Sequence, residues 1–238
     1  MNAFDKAIQG LAYLEQIALQ HDICTACLKI VSKQDSLEET IKVILHQKHH
    51  FQPEKTKVIT TALIQSIIAE AKQAERNEFS LLCRNTLVAL CGGLECLVKD
   101  VVAASILENE NLQEKIRSKA KIKLKLPLVK GDEEGARVLV DSCYKKVPSE
   151  HGHSRKFLLL LEDGGIVADG DVQLTIDEAF AVRNVIVHHG SKVDKRLKSK
   201  FPNIQREIGD FVDMSAPVFQ NYRKTIIGFA GSVSSFIL

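Results

Sequence analysis

The chain has 238 residues, 45% hydrophobic and 26% charged, with 13 Gly and 5 Pro. That is enough apolar residue for a sizeable core, and it excludes a disordered chain. Thirty-two basic residues against 30 acidic ones leave a net charge of +2, and Trp is absent, which argues against broad nucleic-acid coating and against a stacking platform for single strands. Few Gly and Pro beside abundant Leu, Ile, Ala, Lys and Glu predict an all-α fold.

At the N-terminus Asp5 and Lys6 stand where a leader peptide needs an apolar core, and no 18-residue apolar run occurs anywhere. The expectation is a cytoplasmic protein with no membrane partner. Phe4, Ala7, Ile8, Leu11, Leu14 and Ala18 keep helical spacing. Ser36 with Glu39 has the form of a capping box, and Pro53 suits the first turn of a helix carrying Val58, Ala62, Leu63 and Ile67. Residues 1–75 therefore read as an N-terminal region of three or four helices without evident chemistry. Of the six cysteines, at 24, 27, 83, 91, 96 and 143, most lie in apolar helical patterns and suit reduced core thiols. Cys24 and Cys27 have the spacing of half a zinc site, but no second pair completes it. We read them as two thiols on a buried helix face and expect neither metal nor cofactor.

Residues 76–238 read as a second domain. Asn77 opens a long helix over about 79–108. From Thr86 to Val98 its only charge is Glu95, and Gly92-Gly93 suggests close helix packing. Asn111 with Glu114 marks a short helix, followed by a basic run over 115–125. Helices around 132–145 and 154–162 come next, then an exposed loop over 163–171. Thr175 with Glu178 predicts the start of a helix that Gly190 ends. At 100° per residue from Ile176, Phe180, Val187, Ala179 and Ile186 form an apolar stripe, and Arg183 falls in the middle of it at about 340°. Asn184 and His188 lie side by side at its edge, four residues apart. A permanent cation on a packing face must be paired or line a cleft, and Glu95 is the attractive partner. Phe201 to Leu238 reads as a core helix interrupted at Pro217.

Arg183-Asn184-Val185-Ile186-Val187-His188 resembles the Arg-x4-6-His signature of the HEPN superfamily, and most closely the RiboL-PSP type and related standalone bacterial proteins. Two further segments share the likeness. These are the apolar helix with embedded Glu95, and the tail Lys224-Thr-Ile-Ile-Gly-Phe-Ala-Gly-Ser-Val. The resemblance covers about residues 76–238 and implies a helical bundle with metal-independent endoribonuclease activity, in toxin or defence settings. It further implies that His188 handles the proton, that Arg183 binds the phosphate, that Asn184 orients His188 or the phosphate, and that Glu95 holds the Arg183 fork. A homodimer would let two motifs share a cleft, with RNA as substrate and an antitoxin or regulatory protein as a possible further partner. Lys192, Lys195, Arg196 and Lys198 directly follow the motif and are the candidate RNA contacts, to which the 115–125 run could add. Two rival readings fit the same residues. One is a catalytically silent HEPN module that binds RNA, a nucleotide or a protein partner. The other is a helical scaffold in which Arg183 and Glu95 form only a buried ion pair.

Overall fold

A computed structural model describes residues 2–33, 53–120, 128–129, 131–148 and 151–234. Among them are nine α-helices and no strand; one isolated bridge joins Lys192 and Phe211. The helices are α1 (Ala3–Lys33), α2 (Pro53–Arg76), α3 (Ser80–Glu108), α4 (Glu110–Ala120), α5 (Glu133–Lys146), α6 (Gly152–Leu161), α7 (Gly170–His188), α8 (Lys195–Lys200) and α9 (Ala216–Ser234). The expected all-α class holds. Among the described residues no helix is long and apolar enough to cross a membrane.

α3 is the axis of the molecule. Leu87, Leu90, Cys91, Leu94, Val98 and Val101 are wholly buried and point to several sides, as a helix apolar all round must when it sits inside a core. α1 runs antiparallel to it, since Leu14 meets Gly93 and Gly10 meets Leu97. A Cβ on Gly93 would lie 2.7 Å from the Leu14 side chain, whereas one on Gly92 would meet nothing. Half of the glycine pair thus serves close packing. Ala7 and Leu14 of α1 join the same core as α3 to α9.

α5, α6, α7 and α9 cover the rest of α3. Phe157 of α6 is fully buried, with its ring 5.5 Å from Phe180 of α7 and 6.1 Å from Phe229 of α9. The Tyr222 hydroxyl donates to Glu178 at 2.7 Å and ties α9 to α7. Burying a side chain of Phe size contributes about 1.5–3 kcal/mol, so this aromatic group is what fixes the motif helix in place.

Several expected boundaries move. α7 begins five residues before Thr175, because the Asp169 carboxylate accepts from Val172 N at 2.8 Å. α4 is capped by Asn109, not Asn111, with Leu112 N donating at 3.1 Å. Pro217 stands in the first turn of α9, where its missing N–H costs nothing, and residues 201–215 before it are not helical. Cys24 and Cys27 are exposed, not buried, because the covered face of α1 is the one carrying Leu14, Ala18 and His21. The Ser36–Glu39 box and Lys121 to Lys125 lie outside the described residues.

Candidate functional site

α7 ends as the sequence predicts. Gly190 adopts a left-handed φ of 60°, and the His189 and Ser191 N–H groups both donate to Val185 O, at 3.0 and 3.1 Å. Ile176, Ala179, Phe180, Val182 and Val185 are buried, which anchors the helix on both flanks of Arg183. The Arg183 guanidinium is half-buried, and its Nη1 donates to Asn184 Oδ1 at 3.0 Å. Its Nε is buried without a hydrogen-bond partner. His188 is exposed on the last turn, with no hydrogen bond or ion pair among the described residues. His189 faces Asp194 at 3.7 Å.

Glu95 does reach this neighbourhood, since Glu95 and Arg183 both act electrostatically on Cys91, Tyr144 and His153. The structure nevertheless gives the carboxylate to Lys99, at 2.8 Å. Lys99 also pairs with Asp141 at 2.9 Å and lies 4.3 Å from the centroid of the Tyr144 ring. Among the described residues no ion pair joins Glu95 to Arg183, so the expected fork-holding contact and the rival buried ion pair are both absent. The reason is proximity along α3: Lys99 sits one turn from Glu95 and has the shorter path to it.

Three residues that sequence reasoning missed complete the surroundings. Tyr144, on the last turn of α5, is buried, and its hydroxyl has no partner. The His153 ring of α6 stacks on Phe180 at 4.2 Å. Burial and then the Lys156 charge push its imidazole down to about 4, against the pull of Glu95, with Arg183 and Lys200 adding to the push. Lys156 lies 4.9 Å from the Tyr144 ring centroid. Burial, with Glu95 second, pushes the Tyr144 phenol up, so it stays protonated. Local pattern offered no signal for these residues, because they come from two separate helices that meet only by packing against α7.

The candidate RNA contacts are unequal. Lys192, Lys195 and Arg196 are exposed, and Lys192 lies 5.9 Å from the Phe211 ring centroid. Lys198 instead holds the following loop, donating to Ile204 O at 2.8 Å and Arg206 O at 3.1 Å. In the upstream basic run, Lys119 pairs with Asp163 at 2.6 Å and with Glu162 at 3.0 Å, which leaves it a structural residue. An open groove of about 600 Å³ lies along the N-terminal half of α7, lined by Lys146, His151, Arg155, Gln173 and Asp177 among others. Gln173 and Asp177 precede Asn184 and His188 by three helical turns, so the groove shares a helix face with those two residues but not with Arg183. No group of three or more metal-ligating side chains occurs among the described residues.

Compared with protein-family models, with curated proteins and with solved structures, the chain matches none.

Proposed function

We propose that the chain is a metal-independent endoribonuclease of the HEPN type, acting as a homodimer in the cytoplasm. The observation that carries this reading is the Arg183–Asn184 pair beside an unencumbered, exposed His188 at the end of a firmly anchored helix. The substrate supplies its own nucleophile. The 2′-oxygen attacks the adjacent phosphorus, the P–O5′ bond breaks, and the products carry a 2′,3′-cyclic phosphate and a 5′-hydroxyl. His188 moves a proton in this step, as imidazole can near neutral pH. Arg183 offers its remaining N–H groups to the phosphoryl oxygens as charge builds on them. Asn184, which accepts from Arg183 Nη1 at 3.0 Å, fixes the guanidinium plane. RNA would enter along the groove containing Lys146 and Arg155 and leave past Lys192, Lys195 and Arg196. A toxin or defence role, with an antitoxin or regulator as partner, belongs to the same proposal.

Arg183 and His188 are about 140° apart around α7, which favours a site composed across two protomers. Complementation tests this directly. Mixed after partial unfolding and refolding, Arg183→Ala and His188→Ala chains are expected to regain part of the activity that each lacks alone. A mixture as inactive as its components would sink the shared cleft. The silent-module reading has one observation in its favour, since among the described residues no side chain orients His188 as a catalytic imidazole usually requires. RNA that is bound but never cut would decide for it.

A further inference from the structure

Tyr144 and Arg183 each bury a donor with no acceptor, the hydroxyl in one case and Nε in the other. Buried donors are nearly always paired, and an orphan is costly. Both belong to one cluster: Lys156 lies 4.9 Å from the centroid of the Tyr144 ring, and the His153 ring, 6.5 Å from that of Tyr144, stacks on Phe180, one helical turn before Arg183. Charge is unbalanced there as well. The nearby carboxylates Glu95 and Asp141 are both taken by Lys99. Among the described residues neither Arg183 nor Lys156 has a carboxylate partner. The phenol stays protonated and therefore donates, while His153 stays neutral and adds no charge.

Three cations, Lys99, Lys156 and Arg183, against the two carboxylates leave a surplus of one positive charge; with the orphaned donors, and half-open to solvent at Arg183 and Lys156, it asks for a compact oxyanion with several acceptor oxygens. A water molecule would satisfy a donor but leave the charge. We propose that Arg183, Tyr144 and Lys156 form a binding subsite for a backbone phosphate of RNA. The choice of RNA as the source of that phosphate rests on the nuclease reading. α5 and α6 would then supply half of the phosphate grip that α7 begins.

The test uses the full chain with two probes, inorganic phosphate and a 2′-O-methyl oligoribonucleotide that lacks the nucleophile. Wild type is expected to bind the oligonucleotide, and Tyr144→Phe to weaken it about tenfold, the effect of losing one hydrogen bond to a charged group. Lys156→Gln should weaken it too and lower the salt dependence by about one phosphate contact. Because the hydroxyl has no partner in the unliganded protein, Tyr144→Phe should unfold at the same temperature as wild type or higher. Binding by Tyr144→Phe at wild-type affinity overturns the subsite, as does a wild type that binds neither probe. Tyr144-dependent binding of inorganic phosphate without oligonucleotide binding overturns RNA as its source. The two proposals can fail separately. Tyr144-dependent binding without cleavage of unmodified RNA removes the nuclease and leaves the subsite. Cleavage with the same KM in wild type and Tyr144→Phe does the reverse.

Discussion

Arg183 is a cost to the fold that the fold does not recover. Its Nε is buried without a partner, a deficit of about 1–3 kcal/mol for such a group. Arg183→Met, similar in reach but without the donor, is therefore expected to keep or raise the melting temperature while abolishing RNA cleavage. A melting temperature lowered by several degrees would instead mark Arg183 as structural. Glu95 is the reverse case. Its carboxylate serves Lys99 and not Arg183, and both partners are partly exposed, so Glu95→Gln should cost less than about 1 kcal/mol. Cleavage by that variant is expected to stay within a few-fold of wild type; a hundredfold loss would restore Glu95 to the site.

At the scale of elements, the α1–α3 contact separates the two adjacent glycines. Gly93 faces Leu14 at 2.7 Å from its would-be Cβ, so Gly93→Val overpacks the contact and should cost about 1–3 kcal/mol. Gly92 faces open space in a helix, so Gly92→Ala should stabilise by about 0.4–1 kcal/mol. Chemical denaturation of the two variants should shift their midpoints in opposite directions. These helices also show what was legible in sequence. The end of α7 was readable because Gly190 does a job that Gly alone does cheaply. Its start was not, because Asp169 and Thr175 are both good caps, and the helix extends to the outermost one that can close it. The exposure of Cys24 and Cys27 was equally invisible, since periodicity gives a helix a face but not the neighbour that covers it.

Among the described residues the core surrounds α3 and takes in one face of α1, and the group within it that titrates between pH 7 and pH 4 is His153. Its imidazole sits at about 4 in the folded protein against an ordinary value of 6.5. Between those values the unfolded chain binds more protons, so stability is intact above about 6.5 and falls as the pH drops towards 4, by on the order of 3 kcal/mol. A His153→Phe variant should lose that slope when melting is followed from pH 7 to pH 4; an unchanged slope would assign it to other groups. Net charge at this scale hides how the charge is placed. The value of +2 conceals a local surplus of one positive charge, in which Lys99, Lys156 and Arg183 face only the carboxylates of Glu95 and Asp141, both paired with Lys99. Arg183 and His188 were readable as a motif along one helix. Tyr144, His153 and Lys156 were not, because only the packing of α5 and α6 against α7 brings them to it.

We propose that Arg183 and His188 together cut RNA without a metal. RNA digestion in excess chelator, with wild type, Arg183→Ala and His188→Ala prepared in parallel, tests it most directly. Cleavage by wild type alone is expected, leaving 2′,3′-cyclic phosphate ends. Equal residual activity in all three proteins, or products with 3′-hydroxyl and 5′-phosphate ends, would contradict it.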